Sequence, residues 1–385
     1  MCLEEERERI LAVERYRAGG SGSAVCAALG HSRKWLYKWV ARHDIGTEDW
    51  YKDKNRCPYF FPGRTAREIE ELVRLTRLHL YSAGEFCGPE AIRWRLEEEG
   101  AAPLPSVSTI KRILRRHDLT HKRTGRYEPK GKAYPKLAAT NPNDVHEYDF
   151  VGPCYLAGPI KFHSLNALDL MTRRCGVEAM TTKTETVEAI WKLWCRLGIP
   201  KYAQVDNEMV FFGSPAHPRG MGQFIRLCCF YGVEAVFIPM REPWRNGAVE
   251  KFNEHWLYKF YRRVRMDGME DLRIESQEFE TRHNSRYHYS PLGGRTPLQA
   301  LAASGTKPLF PAKLPARTFS KPQQGRYHVV RFIRSDGQLD VFGERFPMPA
   351  KAVYEYVTAT IDVERERMSL HVCGERIGEM EYRLR

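Results

Sequence analysis

No apolar run in this 385-residue chain is long enough to cross a bilayer, and nothing near its start resembles a secretory leader. The opening Glu4-Glu5-Glu6-Arg7-Glu8-Arg9 argues against export. Ten cysteines are scattered, only Cys228 and Cys229 are adjacent, and no Cys-x-x-Cys pair occurs. A disulfide framework is therefore not expected, and reduced thiols in a cytoplasmic protein are. His117-x-x-x-His121 is not followed by the cysteine pair that tetrahedral zinc would need, so zinc is rejected. There is no internal repeat or low-complexity tract.

Acid is also scarce where base is dense. Between residues 101 and 140 only Asp118 and Glu128 oppose ten cations: Lys111, Arg112, Arg115, Arg116, Lys122, Arg123, Arg126, Lys130, Lys132 and Lys136. The chain as a whole carries +13, with 28% charged and 42% hydrophobic residues. That balance describes a globular, multidomain protein with a polyanionic partner, and most of the excess charge sits in one short stretch.

The N-terminal third reads as helical. Residues 3–17 mix acids and arginines with Ile10, Leu11 and Val13, and Gly19-Gly20-Ser21-Gly22 breaks that helix. Ser23 to Leu29 predicts a short helix closed by Gly30, and Ser32 caps the next, Arg33 to Val40. Helix, Gly turn and basic aromatic helix form a helix-turn-helix pattern, with Arg33, Lys34 and Lys38 facing DNA and Trp35 and Trp39 in the core. Beyond Cys57–Gly63, Thr65-Ala66-Arg67-Glu68 offers a capping box for a helix whose inner face holds Ile69, Leu72, Val73 and Leu80. Pro89 starts another helix, and Ser106–Arg116 is a third, presenting Lys111, Arg112, Arg115 and Arg116. These predict a second helix-turn-helix.

Next come three strands at 144–151, 161–170 and 175–180, a helix at 184–197, a strand at 202–206 and a helix near 222–231. A strand at 233–238 and a helix from Asn246 to about Arg263 complete this region. Alternating runs separated by Ser335-Asp336-Gly337 and Cys373-Gly374-Glu375 then predict a small all-β barrel.

Three acids fall at informative places in this order. Asp149 lies in the first strand, Asp206 ends a short strand at Val205-Asp206-Asn207, and Glu250 begins a helix after the loop Pro239–Gly247. Carboxylates at strand ends and a helix start suit hard divalent cations, which take oxygen ligands. The pattern Pro239-x-x-x-Pro243-x-x-Asn246-Gly247-x-x-Glu250-Lys251-Phe252-Asn253, together with Val205-Asp206-Asn207 and Tyr148-Asp149-Phe150, resembles the DDE transposases of insertion sequences, which carry a retroviral-integrase-like core. Two features depart from that family. Glu208 stands where it often has Gly, and the interval from Asp206 to Glu250 is long, with Phe212–Gly220 as the loop that absorbs the excess.

The resemblance implies a multidomain α+β protein: helix-turn-helix modules, a ribonuclease-H-like α/β catalytic core and a C-terminal small β-barrel. The boundaries read 1–50 and 60–122 for the two modules, 123–140 for a basic linker, 141–303 for the core and 320–385 for the barrel. It also implies Asp149, Asp206 and Glu250 as catalytic metal ligands, for two Mg²⁺ or Mn²⁺ ions per site. Glu147 shares a face with Asp149 and is the nearest rival, with Glu208 beside Asp206 and Asp169 at the end of the second strand. Asn246 is a candidate cap for the helix of Glu250, with Glu254 one turn farther on. Lys251, Asn253, His255 and Lys259 are candidate DNA contacts, alongside Lys122 and Arg123. The expected activity is binding of element ends, cleavage and strand transfer into target DNA, in at least two protomers assembled on DNA. The alternatives are a domesticated DNA-binding protein without that activity and a structure-specific nuclease.

Overall fold

The computed structural model describes residues 2–53, 65–120, 133–217, 219–312 and 319–385, in two compact units, Met1–Arg64 and Thr65–Arg385. In the first unit, α1 (Cys2–Arg17), α2 (Gly22–Leu29) and α3 (Arg33–Asp44) enclose Ala12, Val13, Val25, Leu36 and Trp39. The local signals act as their chemistry dictates. Ser21 and Ser32 accept hydrogen bonds from the Ala24 and Trp35 amides, both at 3.2 Å, and Gly30 ends α2 in the left-handed region at φ 67°. Trp39 is buried, with Arg9, Lys38 and Arg42 over its ring at 4.3, 4.7 and 4.5 Å.

The second unit opens with α4 (Arg67–Ser82), α5 (Pro89–Glu98) and α6 (Val107–Arg116), packed on Val73, Leu80, Ile92, Leu96, Ile110 and Ile113. The Thr65–Glu68 capping box does not form: the N-cap is Ala66, so Ile69 rather than Glu68 holds the third helical position. The α4–α5 turn is seated on the larger domain. Gly84, at φ 74°, lies so near the Lys259 carbonyl that a Cβ would stand 2.8 Å from its oxygen, and Tyr287 Oη donates to the Gly84 carbonyl at 2.5 Å.

A nine-stranded mixed sheet organises the remainder. Its strands are β1 (Val145–Tyr155), β2 (Lys161–Asp169), β3 (Cys175–Met180), β4 (Tyr202–Val205), β5 (Glu234–Phe237) and β6 (Arg326–Phe332). After the hairpin β7 (Gln338–Val341) and β8 (Glu344–Pro347) come β9 (Tyr356–Asp362), β10 (Arg367–Val372) and β11 (Glu375–Glu381). The order is β11-β10-β9-β6-β5-β4-β1-β2-β3. β1, β2 and β3 are an antiparallel meander, and β4 and β5 run parallel to β1. The element order from β1 to β5, with a helix between β3 and β4, is the one read from the sequence.

Strand alternation sorts the two faces. Tyr148 points to the face covered by α7 (Thr186–Leu197), where its hydroxyl accepts from Trp194 Nε1 at 2.7 Å. That face continues over Val205, Phe237 and the helices α8 (Met209–Phe212) and α9 (Gln223–Tyr231). The opposite face carries α10 (Gly247–His255) and α11 (Met269–Arg286), which bury Val249, Phe252 and Phe279; α12 (Pro297–Ser304) follows. The single helix expected from Asn246 to Arg263 is three pieces: a 3₁₀ turn at Pro243–Asn246, then α10, then a π-helical turn at Trp256–Tyr261.

The C-terminal strands depart most from expectation. Among the described residues no closed barrel exists; β6 pairs parallel with β5, and β9, β10 and β11 extend the same sheet. The physical reason is the edge of β5, whose unpaired backbone groups β6 satisfies. Tyr327 and Val329 enter the same core as Val205 and Phe237, so apolar burial and strand pairing favour one arrangement.

Candidate active site

Neighbouring parallel strands bring two of the predicted acids together. Glu147 is opposite Gln204 in the β1–β4 register, and Asp206, just past the end of β4, is near enough to Asp149 for its charge to act on that carboxyl. Glu250 stands in the first turn of α10, which lies over this face, and its charge acts on both Glu147 and Asp149. The three acids thus share one region. Among the described residues, however, no three His, Cys, Asp or Glu side chains are gathered closely enough to hold a metal ion as they stand. Like charges in a half-buried site do not close on one another unaided.

Asp149 is held by a chain of amides. Ser164 Oγ donates to Asn166 Oδ1, Asn166 Nδ2 to Asn253 Oδ1, and Asn253 Nδ2 to Asp149 Oδ2, each at 2.8 Å. Asn166 is directly opposite Asp149 on β2, and Asn253 comes down from α10. Burial, and then the charges of Asp206 and Glu250, push the Asp149 carboxyl up to about 7. Asp206 is raised by burial and by Glu208, although its Oδ1 accepts the Glu208 amide at 3.0 Å. Burial and the charge of Glu254 raise Glu250.

Glu147, the nearest rival, has a different occupation. It is 5% exposed, and its Oε2 accepts the Ala248 and Val249 amides at 3.0 and 2.9 Å, while Oε1 accepts Gln204 Nε2 at 3.2 Å. A carboxylate on the open N–H groups of a helix N-terminus is favoured by hydrogen bonding and by the helix dipole. Burial outweighs this and lifts Glu147 to about 7. Glu147 is therefore the cap that orients Glu250. Asn246, the expected cap, makes no side-chain bond to the helix; its Nδ2 donates to the Tyr148 carbonyl at 2.8 Å and its Oδ1 accepts Gln204 Nε2 at 3.3 Å.

The other candidates separate by their partners. Asp169 accepts the Asn143 and Thr172 amides at 3.1 and 2.9 Å and closes the β2–β3 turn. Glu208 pairs with Lys183, and Glu254 with Lys251. Lys259, expected on DNA, is half-buried and donates to the Glu85 carbonyl at 2.9 Å, tying α10's continuation to the α4–α5 turn. His255 packs edge-on against Phe86 at 4.8 Å, and burial pushes it down to about 3, so it is neutral. Asn253 contacts Asp149. Sequence reading missed Asn166, Lys183 and Gln204. Their roles come from register and helix docking, for which no local pattern exists.

Of the basic groups, Arg33, Lys34 and Lys38 are exposed on α3, and Lys111, Arg112 and Arg115 on α6. Arg116 is committed to Glu70 at 2.6 and 2.7 Å, and His117 joins the same carboxylate at 2.8 Å. Lys122 and Arg123 lie outside the described residues. Of the basic linker, Tyr134 is packed, its ring 5.3 Å from Tyr356 and 4.2 Å from the Arg245 guanidinium.

Residues 3–50 match the homeodomain-like domain family, a helix-turn-helix family, over α1, α2 and α3. The structure is similar to the HTLV-2 integrase catalytic core domain in complex with magnesium, at 18% identity and a TM-score of 0.32, over 42% of this chain and 99% of that one. It is similar to a chain of the simian T-cell lymphotropic virus intasome, at 16% identity and a TM-score of 0.36, over 74% of this chain and 91% of the other. The catalytic core domain of BIV integrase matches at 14% identity and a TM-score of 0.32, over 42% and 96% of the two chains.

Proposed function

We propose that this chain is a divalent-metal-dependent DNA transposase that binds element ends, cleaves them and joins them to target DNA. The observation that supports this reading is Asp149 on β1 beside Asp206, which directly follows the end of the adjacent β4, near the helix bearing Glu250. The donor chemistry fits: three carboxylates, all raised by burial and with like charge beside them, provide hard oxygen ligands whose repulsion a cation would relieve. Magnesium or manganese held there would supply Lewis acidity to the attacking and leaving oxygens of an in-line phosphodiester displacement.

The chain's own groups prepare that chemistry. Asn253 orients Asp149, and the Glu208 amide orients Asp206. Glu147 holds the helix start that carries Glu250, so all three carboxylates are aimed from rigid elements. Lys183, paired with Glu208, places a cation beside Asp206 and limits its rise. Arg33, Lys34 and Lys38 provide the end-binding face, with Lys111, Arg112 and Arg115 as a second basic face. Joining requires two DNA ends to meet, so at least two protomers act together.

The test is a strand-joining assay on labelled end DNA in Mg²⁺ or Mn²⁺. Asp149→Asn, Asp206→Asn and Glu250→Gln should each abolish joining and leave end binding intact. Joining that persists in one of them removes that residue from the site. Binding without joining in the unaltered protein points to a domesticated DNA-binding protein, and cleavage without joining to a nuclease.

A further inference from the structure

A buried arginine stands where the site loops leave the sheet. In the β5–β6 pairing Phe237 is level with Val329, so Arg331 comes level with Pro239, the first residue of the loop leading to Glu250. Proline has no N–H and cannot continue the ladder there. Arg331 is 5% exposed, and among the described residues no carboxylate lies within ion-pair distance of it. Its guanidinium instead donates to oxygens of its own strand and of three other segments. Nε donates to the Asp340 carbonyl at 2.9 Å, and Nη1 to the Ile238 and Val330 carbonyls at 3.1 and 2.9 Å. Nη2 donates to Asn207 Oδ1 at 2.8 Å, and Asn207 Nδ2 donates in turn to the Ile238 carbonyl at 2.7 Å.

Asn207 directly follows Asp206, so this network holds the residue after a candidate ligand to the end of β5. A buried cation with no bonded counter-ion, only the Asp340 charge acting on it from beyond ion-pair distance, is costly, and satisfying sheet-end carbonyls alone would not require one. The planar fork of arginine suits it to span three backbones at once, which lysine's single ammonium cannot do.

We propose that Arg331 is a positioning residue for Asp206, acting through Asn207, so that the C-terminal strands are part of the support of the catalytic centre. This rests on the reading of Asp206 as a metal-binding catalytic carboxylate. Two measurements on the full chain separate the ideas. The first is hydrogen exchange of the backbone amides of residues 206–209, which needs no activity. Arg331→Lys and Asn207→Ala should speed exchange there at least tenfold, with the β1 and β2 amides unchanged. The second is strand joining at saturating end DNA, titrated with Mn²⁺. Both variants should join at least tenfold more slowly and need several-fold more Mn²⁺, with end binding within twofold of the unaltered protein. The double variant should be no worse than the more impaired single one, because both act in one network.

Unchanged exchange at residues 206–209 in folded Arg331→Lys and Asn207→Ala overturns the proposal. So does faster exchange with joining and Mn²⁺ dependence unaltered, which would leave Arg331 a structural role only. If Arg331→Lys does not fold, Asn207→Ala decides by the same two readouts. If the unaltered protein joins no DNA and binds no Mn²⁺ while exchange responds as expected, the catalytic reading fails and the clamp on the β4 loop stands.

Discussion

Two places of opposite sign hold charge with no ion-pair partner among the described residues, the outer face of α3 and the end of β1 and β4 beneath α10. On α3, Arg33 and Lys34 are exposed with no acid bonded to them among the described residues. At the sheet end, burial raises Asp149, Asp206 and Glu250, and a like charge adds to each: Asp206 on Asp149, Glu208 on Asp206 and Glu254 on Glu250. Other charges are matched: Arg196 meets Glu178 and Glu280 at 2.5 and 3.0 Å, Arg95 meets Glu85 at 2.7 Å, and Arg116 meets Glu70. The difference teaches that unmatched charge marks the ligand. A cation face left open suits phosphates, and a carboxylate cluster left unneutralised suits metal ions. Glu147 and Asp149 make the contrast within one strand: same face, two residues apart, yet Glu147 is occupied by a helix start and Asp149 is not.

Breaking the matched member should have the largest effect on the fold. Glu147→Ala leaves the Ala248 and Val249 amides and Gln204 without their acceptor, and should cost about 3 kcal/mol in a denaturant titration and abolish joining. Glu147→Gln, which keeps one acceptor oxygen, should cost less than half of that. Stability of Glu147→Ala equal to that of the unaltered protein would show that α10 is not anchored by this cap.

Removing an unmatched charge should act in the opposite direction. Asp149 has a folded value of about 7 against an ordinary 3.8, so its carboxyl favours the fold below pH 3.8, and that contribution is lost as pH rises through 7. At pH 8 and without divalent cations, Asp149→Asn should therefore raise the stability by about 1 kcal/mol, read as a higher melting temperature, and the gain should shrink at pH 5. A melting temperature lowered at pH 8 would mean that the acids do not repel.

On the positive side, Arg33→Ala, Lys34→Ala and Lys38→Ala should each weaken end binding and flatten its salt dependence, by about 0.9 in log–log slope for each phosphate no longer neutralised. The smallest effect on binding is expected for Arg116→Ala. It should leave the slope unaltered and cost about 1 kcal/mol of stability, because Glu70 keeps only His117. A slope that falls for Arg116→Ala and holds for the α3 variants would reverse the assignment of the two helices.

Much of this was legible locally. The Ser32 cap and Gly30 turn set α3, and the meander of β1–β3 and the strand at 202–205 followed from alternation. Asp149, Asp206 and Glu250 were named from motif and spacing. The capping box at Thr65 failed because a one-residue change of helix start moves every capping position. The intramolecular contacts of Asn253, His255 and Lys259 were not legible for another reason. A helix pattern shows that a polar residue is off the apolar stripe, but not which neighbouring element docks there. The C-terminal strands were recognised as strands, while their joining to β5 was not, since alternation says nothing of which edge a strand will pair with.

By itself the sequence determined which residues could do chemistry and which elements would carry them, because capping, periodicity and turn signals act over a few residues. Only the tertiary structure decided which of the neighbouring acids stays unmatched. That outcome depends on the parallel register that sets Asp149 beside Asp206, on the docking of α10 onto Glu147, and on Arg331 reaching Asn207 across the sheet. Each joins groups from 57 to 124 residues apart, where burial and hydrogen-bond satisfaction of the whole fold, not local preference, select the partner.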